Sequence, residues 1–109
     1  MGILWCIKLG MANKFKDVIE HVETTSSHTQ RTVDIKVTKK EVIRTTKKPK
    51  WEDRFDVKKI HALGMTKGKR RELDRVHLEL KGGKEIEWEL KKGKPLYNCI
   101  NTFWIRSDF

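Results

Sequence analysis

The chain has 109 residues, of which 25 are Lys or Arg and 15 are Asp or Glu, so its formal net charge at pH 7 is +10. This length predicts one domain spanning 1–109, and an apolar content of 37% that includes four Trp and four Phe argues against intrinsic disorder. The longest nearly apolar run, Gly2–Ile7, is too short to cross a membrane and lacks the basic start and the cleavage site of a signal peptide, so we expect a soluble, cytoplasmic domain.

The first long segment has the apolar spacing of a helix. Its apolar residues recur at i, i+3, i+4 and i+7, which places them on one helical face and predicts an N-terminal helix over 11–23. The pattern is formed by Phe15, Val18, Ile19 and Val22. The shorter segment Ile3–Leu9 alternates apolar residues and predicts a strand, although a helical pattern fits it almost as well.

From Thr29 onward, apolar residues recur at every second position, which is the pattern of strands with one buried face. We therefore predict an antiparallel sheet of five to six strands over 29–91, joined by short turns such as Lys47–Lys50. A bulge is predicted at Lys58-Lys59, where the alternation slips, and a loop is predicted over Gly64–Arg71.

The sequence on either side of Gly82-Gly83 has the clearest hairpin pattern. A three-residue loop, Gly82–Lys84, keeps the apolar side chains on one face, whereas a two-residue turn mixes the two faces. The predicted register therefore pairs Leu80 with Ile86, Leu78 with Trp88 and Val76 with Leu90.

The last segment predicts an amphipathic helix over 95–106. Pro95 suits the start of this helix, because it has no amide hydrogen that would be left unpaired there. An apolar stripe is expected to cover the apolar face of the sheet, and it consists of Leu96, Cys99, Ile100, Phe103 and Trp104. The predicted fold class is α+β, in which the C-terminal helix caps the antiparallel sheet.

The positive charge is concentrated in 39–71, where thirteen basic and four acidic residues give a net charge of +9. Because neighbouring charges add their fields, this segment predicts a surface that attracts polyanions. The alternative interpretation is a solvated surface that only keeps the protein soluble. Trp51 lies in the segment and either packs in the core, stacks on a base or inserts into a membrane interface. The predicted polyanion-binding residues are Lys39, Lys40, Arg44, Lys47, Lys48, Lys50, Trp51, Arg54, Lys67, Lys69, Arg70 and Arg71.

The order of these elements resembles the bacterial pleckstrin-homology-like or GRAM-like domains over about residues 29–105. In that family, a V-T-x-K strand pair, a D-V-x-x-I strand and an amphipathic hairpin precede a C-terminal helix that caps a bent sheet. The matching parts here are Val37–Ile43, Asp56–Ile60, Arg75–Leu90 and Pro95–Trp104. This chain departs from the family in that we predict five to six strands where the family has seven. The resemblance implies a half-barrel binding scaffold without catalytic machinery, whose partners are acidic lipids, peptides or other proteins.

Candidate catalytic residues are few, and each fits an ordinary structural role. The E-x-K pattern occurs at Glu79–Lys81 and Glu89–Lys91, and with Asp56 it would suit a metal-dependent nuclease, but it is also the pattern of an amphipathic strand. A ribonuclease toxin would use His61 or His77 beside Lys69, Arg70 and Arg71, yet nothing in the sequence makes them converge.

The cysteines and histidines predict no metal site and no cofactor. Cys6 and Cys99 lie far apart in the chain among apolar neighbours, which predicts buried free thiols, and the sequence leaves a disulfide open as the alternative. The four histidines lack the spacing of a zinc site. The sequence therefore predicts a non-enzymatic module that binds a polyanion, with nucleic acid as the first choice of partner. An adaptor that binds an acidic protein or anionic phospholipid is the alternative, and a small nuclease is a remote one.

Overall fold

The computed structural model describes residues 13–106 and shows a seven-stranded antiparallel half-barrel with one C-terminal helix. In chain order the elements are β1 (Asn13–Glu23), β2 (His28–Val37), β3 (Glu41–Thr46), β4 (Trp51–Asp56), a 3-10 turn (Val57–Lys59), β5 (Ile60–Thr66), β6 (Asp74–Leu80), β7 (Glu85–Leu90) and α1 (Gly93–Arg106). Neighbouring strands follow the order β4-β3-β2-β1-β7-β6-β5, so β4 and β5 are the two edge strands. The predicted strand Ile3–Leu9 lies outside the described residues.

The predicted N-terminal helix over 11–23 is wrong, because this segment forms strand β1. A bulge between Phe15 and Val18, with Asp17 at a φ of 54°, shifts the phase of the strand. The inward positions after the bulge are therefore 18, 20 and 22. Position 20 is Glu20, a buried carboxylate, so the apolar residues on either side of it imitate a helical spacing.

The predicted count of five to six strands is also wrong, since β1 and β5 raise it to seven. Strand β5 was missed because a register shift between Ile60 and Ala62 breaks its alternation. Beyond the shift, Leu63 and Met65 pack against the core, and the predicted loop at Gly64 begins only after Thr66. The bulge predicted at Lys58-Lys59 is instead the 3-10 turn between β4 and β5.

The β6–β7 hairpin has one apolar face, as predicted, but its register differs by two residues. Leu78 pairs with Ile86 and Val76 with Trp88, and four residues, 81–84, connect the strands. The turn is closed by the Gly83 amide, which donates to the Leu80 carbonyl at 3.0 Å. Gly82 and Gly83 have φ values of 130° and 94°, which favour glycine and explain the longer turn. Because the difference is two residues, the same side chains face the core.

Helix α1 covers one side of the half-barrel, as the apolar stripe predicted. Leu96, Cys99 and Ile100 are fully buried, and the Trp104 Nε1 donates to the Ile60 carbonyl at 3.0 Å. Cys99 takes part in a disulfide, so the prediction of a free thiol is wrong for this residue, and Cys6 lies outside the described residues. Within 13–106, no helix has the length and apolar character needed to cross a membrane.

Candidate functional site

Most basic residues of 39–71 lie in the turns that precede, join and follow the two edge strands, and only Arg54 lies on an edge strand. Strand β4 and strand β5 are joined end to end by the 3-10 turn Val57–Lys59. A second basic segment, Lys47–Lys50, precedes β4, and a third, Lys67–Arg71, follows β5. At about 3.3 Å per residue, six- and seven-residue strands separate each outer segment from the 3-10 turn by roughly 20 Å. The charge therefore forms three patches and not one continuous surface.

The central patch contains lysines from three different turns, held together by backbone hydrogen bonds. The Val57 amide donates to the Lys40 carbonyl at 2.8 Å, and the Lys81 amide donates to the Lys59 carbonyl at 2.7 Å. The path from Lys39 to Lys81 through these bonds is at most roughly 20 Å. All five lysines of this patch are exposed, and we call it the lysine cluster: Lys39, Lys40, Lys58, Lys59 and Lys81.

The 3-10 turn at the centre of the lysine cluster has a fixed conformation. Asp56 caps it, because its Oδ1 accepts a hydrogen bond from the Lys58 amide at 2.8 Å. The turn packs on the core through Val57, which is 1% exposed, and its two lysines point to solvent as exposed residues. The lysine cluster is therefore positioned by buried residues and capped backbone, which lowers the entropic cost of binding.

The Lys47–Lys50 turn has a more mixed electrostatic environment. Lys47 and Lys48 line a groove of about 640 Å³ that also contains Arg31. The same groove is lined by Asp17 and Asp34, whose carboxylates offset the positive charge. This turn is exposed, but its groove presents both signs of charge and is a poorer polyanion site than the lysine cluster.

The basic loop Lys67–Arg71 is attached to the rest of the fold by Asp74. The Asp74 Oδ2 accepts from the Gly93 amide at 2.9 Å, and its Oδ1 accepts from the Gly68 amide at 2.8 Å. These two backbone hydrogen bonds, first that of Gly93 and then that of Gly68, lower the pKa of the Asp74 carboxyl below its ordinary value. One side chain thus connects the basic loop to the start of α1.

Asp74→Asn is expected to destabilise the protein at neutral pH, because an amide has one acceptor oxygen for two amide donors. A lowered carboxyl pKa contributes stability above the pKa of the unfolded chain, about 3.9, and that stability is lost as the pH falls through the folded value. Thermal unfolding of wild type and variant should therefore differ at pH 7 and converge below about pH 4. Glu72→Gln, an exposed change in the same loop, is the control. A difference that does not shrink as the pH falls below about 4 would contradict the assignment.

Arg44 is placed in the core, away from any surface. Its side chain is 2% exposed, and its Nη1 donates to Glu20 Oε1 at 2.8 Å, while its Nη2 is paired with Asp53. Glu20 is fully buried, and its Oε2 accepts from the Trp88 Nε1 at 2.8 Å. We call Glu20, Arg44, Asp53 and Trp88 the buried polar network. Arg44 has a structural role here and is not available to a ligand.

Two further predicted ligand residues are occupied by intramolecular contacts. Arg54 bridges Glu41 and Glu52 with contacts of 3.0 and 2.6 Å, and these carboxylates raise the pKa of its guanidinium, Glu52 first. Trp51 is half-buried against the core, and the Arg31 guanidinium carbon lies 4.4 Å from its ring centroid. Trp51 is therefore a packing residue covered by a cation–π contact, and its face is not free to stack on a base.

Sequence reasoning placed Lys39 and Lys40 in the candidate site but missed part of the lysine cluster. Lys58 and Lys59 belong to the basic segment, yet the D-V-x-x-I strand pattern gave no reason to select them. Lys81 lies outside that segment and reaches the cluster only through the β6–β7 turn. A count of charge along the sequence does not find it, since the contact depends on tertiary structure.

Comparisons with known proteins extend the description of the fold. No family model matches the chain, and no curated protein matches it significantly. Among solved structures, the C-terminal domain of an unknown protein from Leishmania infantum is similar, with a TM-score of 0.59 at 9% identity over 84% of this chain and 85% of that one. The inner membrane complex sub-compartment protein 3 of Toxoplasma gondii gives a TM-score of 0.54 at 12% identity over 95% and 82%.

A structure of Vav1 with an allosteric inhibitor gives a TM-score of 0.52 at 9% identity, covering 88% of this chain and 25% of the Vav1 chain. Together these similarities define a weak pleckstrin-homology-like fold resemblance and nothing finer. The structure has seven strands, so the difference in strand number from that family that was predicted from the sequence is absent.

Proposed function

We propose that this protein is a non-enzymatic binding module that binds a polyanion through the lysine cluster, with the phosphate backbone of nucleic acid as its principal ligand. The observation that carries this proposal is the pair of backbone hydrogen bonds that joins three lysine-bearing turns. Two carboxylates beside the lysine cluster have other partners, since Glu41 is paired with Arg54 and Asp56 accepts from the Lys58 amide.

The size of the lysine cluster suits a nucleic acid duplex. Double-stranded DNA carries one charge per about 1.7 Å of axis, so a stretch of roughly 20 Å presents about twelve phosphates to the five lysines. Lysine acts as a point charge on phosphate and does not read base edges. We therefore expect little sequence preference. Stacking of bases on Trp51 is not part of the proposal, because Arg31 covers that ring.

An anionic membrane surface is the second candidate ligand. The observation that favours it is the fold similarity to a protein of the inner membrane complex of Toxoplasma gondii. Exposed lysines on neighbouring turns also suit anionic headgroups, with about 1 kcal/mol for each lysine near the surface. An adaptor that binds an acidic protein would use the same charges.

Binding at several salt concentrations tests the proposal. A fluorescently labelled duplex of about 20 base pairs should bind with a slope of log K against log salt near −4.5, which is a loss of about 500-fold in affinity between about 50 and 200 mM salt. Phosphatidylcholine vesicles with and without phosphatidylserine form the parallel arm. Absence of duplex binding at the lowest salt would contradict the proposal, and binding only to the anionic vesicles would favour the second candidate.

A further inference from the structure

The outer face of the sheet carries an acidic groove, although the protein has a net charge of +10. The groove has a volume of about 510 Å³ and lies across β1, β7, β6 and β5. We call it the acidic groove, and the ionisable residues that line it are Glu23, Glu79, Glu85, Glu87, His21, His28 and His77. Four carboxylates and three imidazoles therefore share one surface, and two of the carboxylates, Glu79 and Glu85, flank the β6–β7 turn that contains Lys81.

The strand register arranges these side chains in two rows. In the first row, Glu85 is directly opposite Glu23 on one side and Glu79 on the other. Like charges directly opposite each other in a sheet destabilise it, so this row favours a nearby positive charge. In the second row, Glu87 is directly opposite His21 on one side and His77 on the other. The first row consists of carboxylates alone, the second alternates imidazole and carboxylate, and both supply cation ligands to the groove.

Three side chains bring their ligand atoms close enough to share one ion. The imidazole of His21 and the carboxylates of Glu87 and Glu89 have ligand atoms that all lie within 4.8 Å of one another. His21 Nε2 is 3.4 Å from Glu89 Oε1. Bonds of about 2.0–2.2 Å in a tetrahedral site place neighbouring ligand atoms about 3.4 Å apart, so this pair already has the required separation.

The strand register fixes the backbone positions of the three ligands, since Glu87 and Glu89 lie opposite His21 and Ile19. His21 and Glu87 are fixed by the β1–β7 register, and the His28 ring stacks on that of His21 with centroids 5.8 Å apart. A Cβ at position 64 would lie 2.7 Å from His77 Nε2, so Gly64 leaves room for the His77 imidazole in the groove. The ligands are half-buried, which leaves one side open to solvent.

We propose that His21, Glu87 and Glu89 form a binding site for Zn²⁺ or a similar divalent transition-metal ion. One imidazole and two carboxylates suit Zn²⁺ and its neighbours, whereas Mg²⁺ and Ca²⁺ prefer sites made of oxygen atoms alone. The open side leaves a coordination position for water or an incoming group. This site uses none of the lysines of the lysine cluster, and it does not depend on the proposed polyanion binding.

Zinc titration of the tag-free protein tests the site, with a chromophoric chelator as competitor. Wild type should bind one Zn²⁺ per chain, and His21→Ala and Glu87→Gln should each weaken binding by about tenfold or more. His61→Ala is the matched control, because His61 is an exposed histidine of β5 that does not line the groove. Circular dichroism of each variant verifies folding, and Co²⁺ absorption of wild type should show the visible bands of a low-coordinate site.

Two results would overturn the proposal. One is the absence of saturable zinc binding to wild type. The other is an equal loss of affinity in His21→Ala and His61→Ala, which would indicate adventitious binding to surface histidines. In the first case, binding of a lysine-rich peptide to the groove would assign the acidic groove to a cationic peptide.

Discussion

Replacing Glu20 with alanine is expected to lower the free energy of unfolding by about 3–5 kcal/mol. The change removes the buried acceptor of two hydrogen bonds, one from Arg44 and one from Trp88, each 2.8 Å long. The Arg44 guanidinium, 2% exposed, would keep Asp53 as its remaining carboxylate partner in the network. Since domains of this size are stable by about 5–15 kcal/mol, such a loss is a large fraction of the total.

Urea unfolding followed by Trp fluorescence and far-UV circular dichroism measures this effect. Glu23→Ala, an exposed change on the same strand, is the control and should stay within about 0.5 kcal/mol of wild type. A loss below about 1 kcal/mol in Glu20→Ala would contradict the role given to the buried polar network.

A double replacement separates the charge from the shape of the network. Glu20→Leu combined with Arg44→Met removes both buried charges, so it should cost less than the Glu20→Ala change alone. Arg44 Nε is buried and has no hydrogen-bond partner among the described residues, which makes the network imperfectly satisfied. Removing both partners also removes that unpaired donor. Because Glu20→Ala already breaks the Glu20–Arg44 ion pair, a double variant less stable than Glu20→Ala would contradict this expectation and show that Arg44 stabilises the fold through its other contacts, with Asp53 and the Trp51 ring.

Removing or reversing the charge of the lysine cluster should have the largest effect on ligand binding. Changing both Lys58 and Lys59 to Gln removes two phosphate contacts, which predicts a salt slope smaller by about 2 and a duplex affinity lower by roughly a hundredfold at about 50 mM salt. Changing both to Glu adds repulsion and should lower the affinity further. Both lysines are exposed, so folding should be unaffected.

The matched control is the double change of Lys91 and Lys92 to Glu. These two consecutive lysines are also exposed, but they lie at the end of β7 opposite to the turn that contains Lys81. They should have little effect on the slope. An equal loss in both double variants would show that the ligand responds only to net charge, as expected of a solvated basic surface. Reversal of Lys69, Arg70 and Arg71 then reports whether the basic loop takes part.

The parts of the fold with regular alternation were predictable from sequence. The β6–β7 hairpin and α1 have uninterrupted patterns, so their faces were predicted correctly even where the register was not. Strands β1 and β5 were not predicted because each contains an irregularity that changes which residues face inward. In β1 the inward position is occupied by the charged Glu20, and its burial depends on Arg44 and Trp88, which are distant in sequence.

The candidate sites depend still more on tertiary structure. Local charge density located the basic segment, but it could not show that Arg44 is buried or that Lys81 joins Lys59. Sequence motifs with a fixed spacing of metal ligands could not identify the proposed ligands, because His21 is on β1 while Glu87 and Glu89 are on β7. Such sites are formed by strand pairing, and no motif along the chain encodes them.

Amide chemical-shift mapping with a short duplex most directly tests whether the lysine cluster binds nucleic acid. During titration of the ¹⁵N-labelled protein at low salt, we expect the largest chemical-shift changes at the amides of the lysine cluster: Lys39, Lys40, Lys58, Lys59 and Lys81. The amides of the acidic groove, such as those of His21 and Glu87, should move little. Small shifts spread over all basic residues, or shifts centred away from the 3-10 turn, would contradict the assignment of the binding site to the lysine cluster.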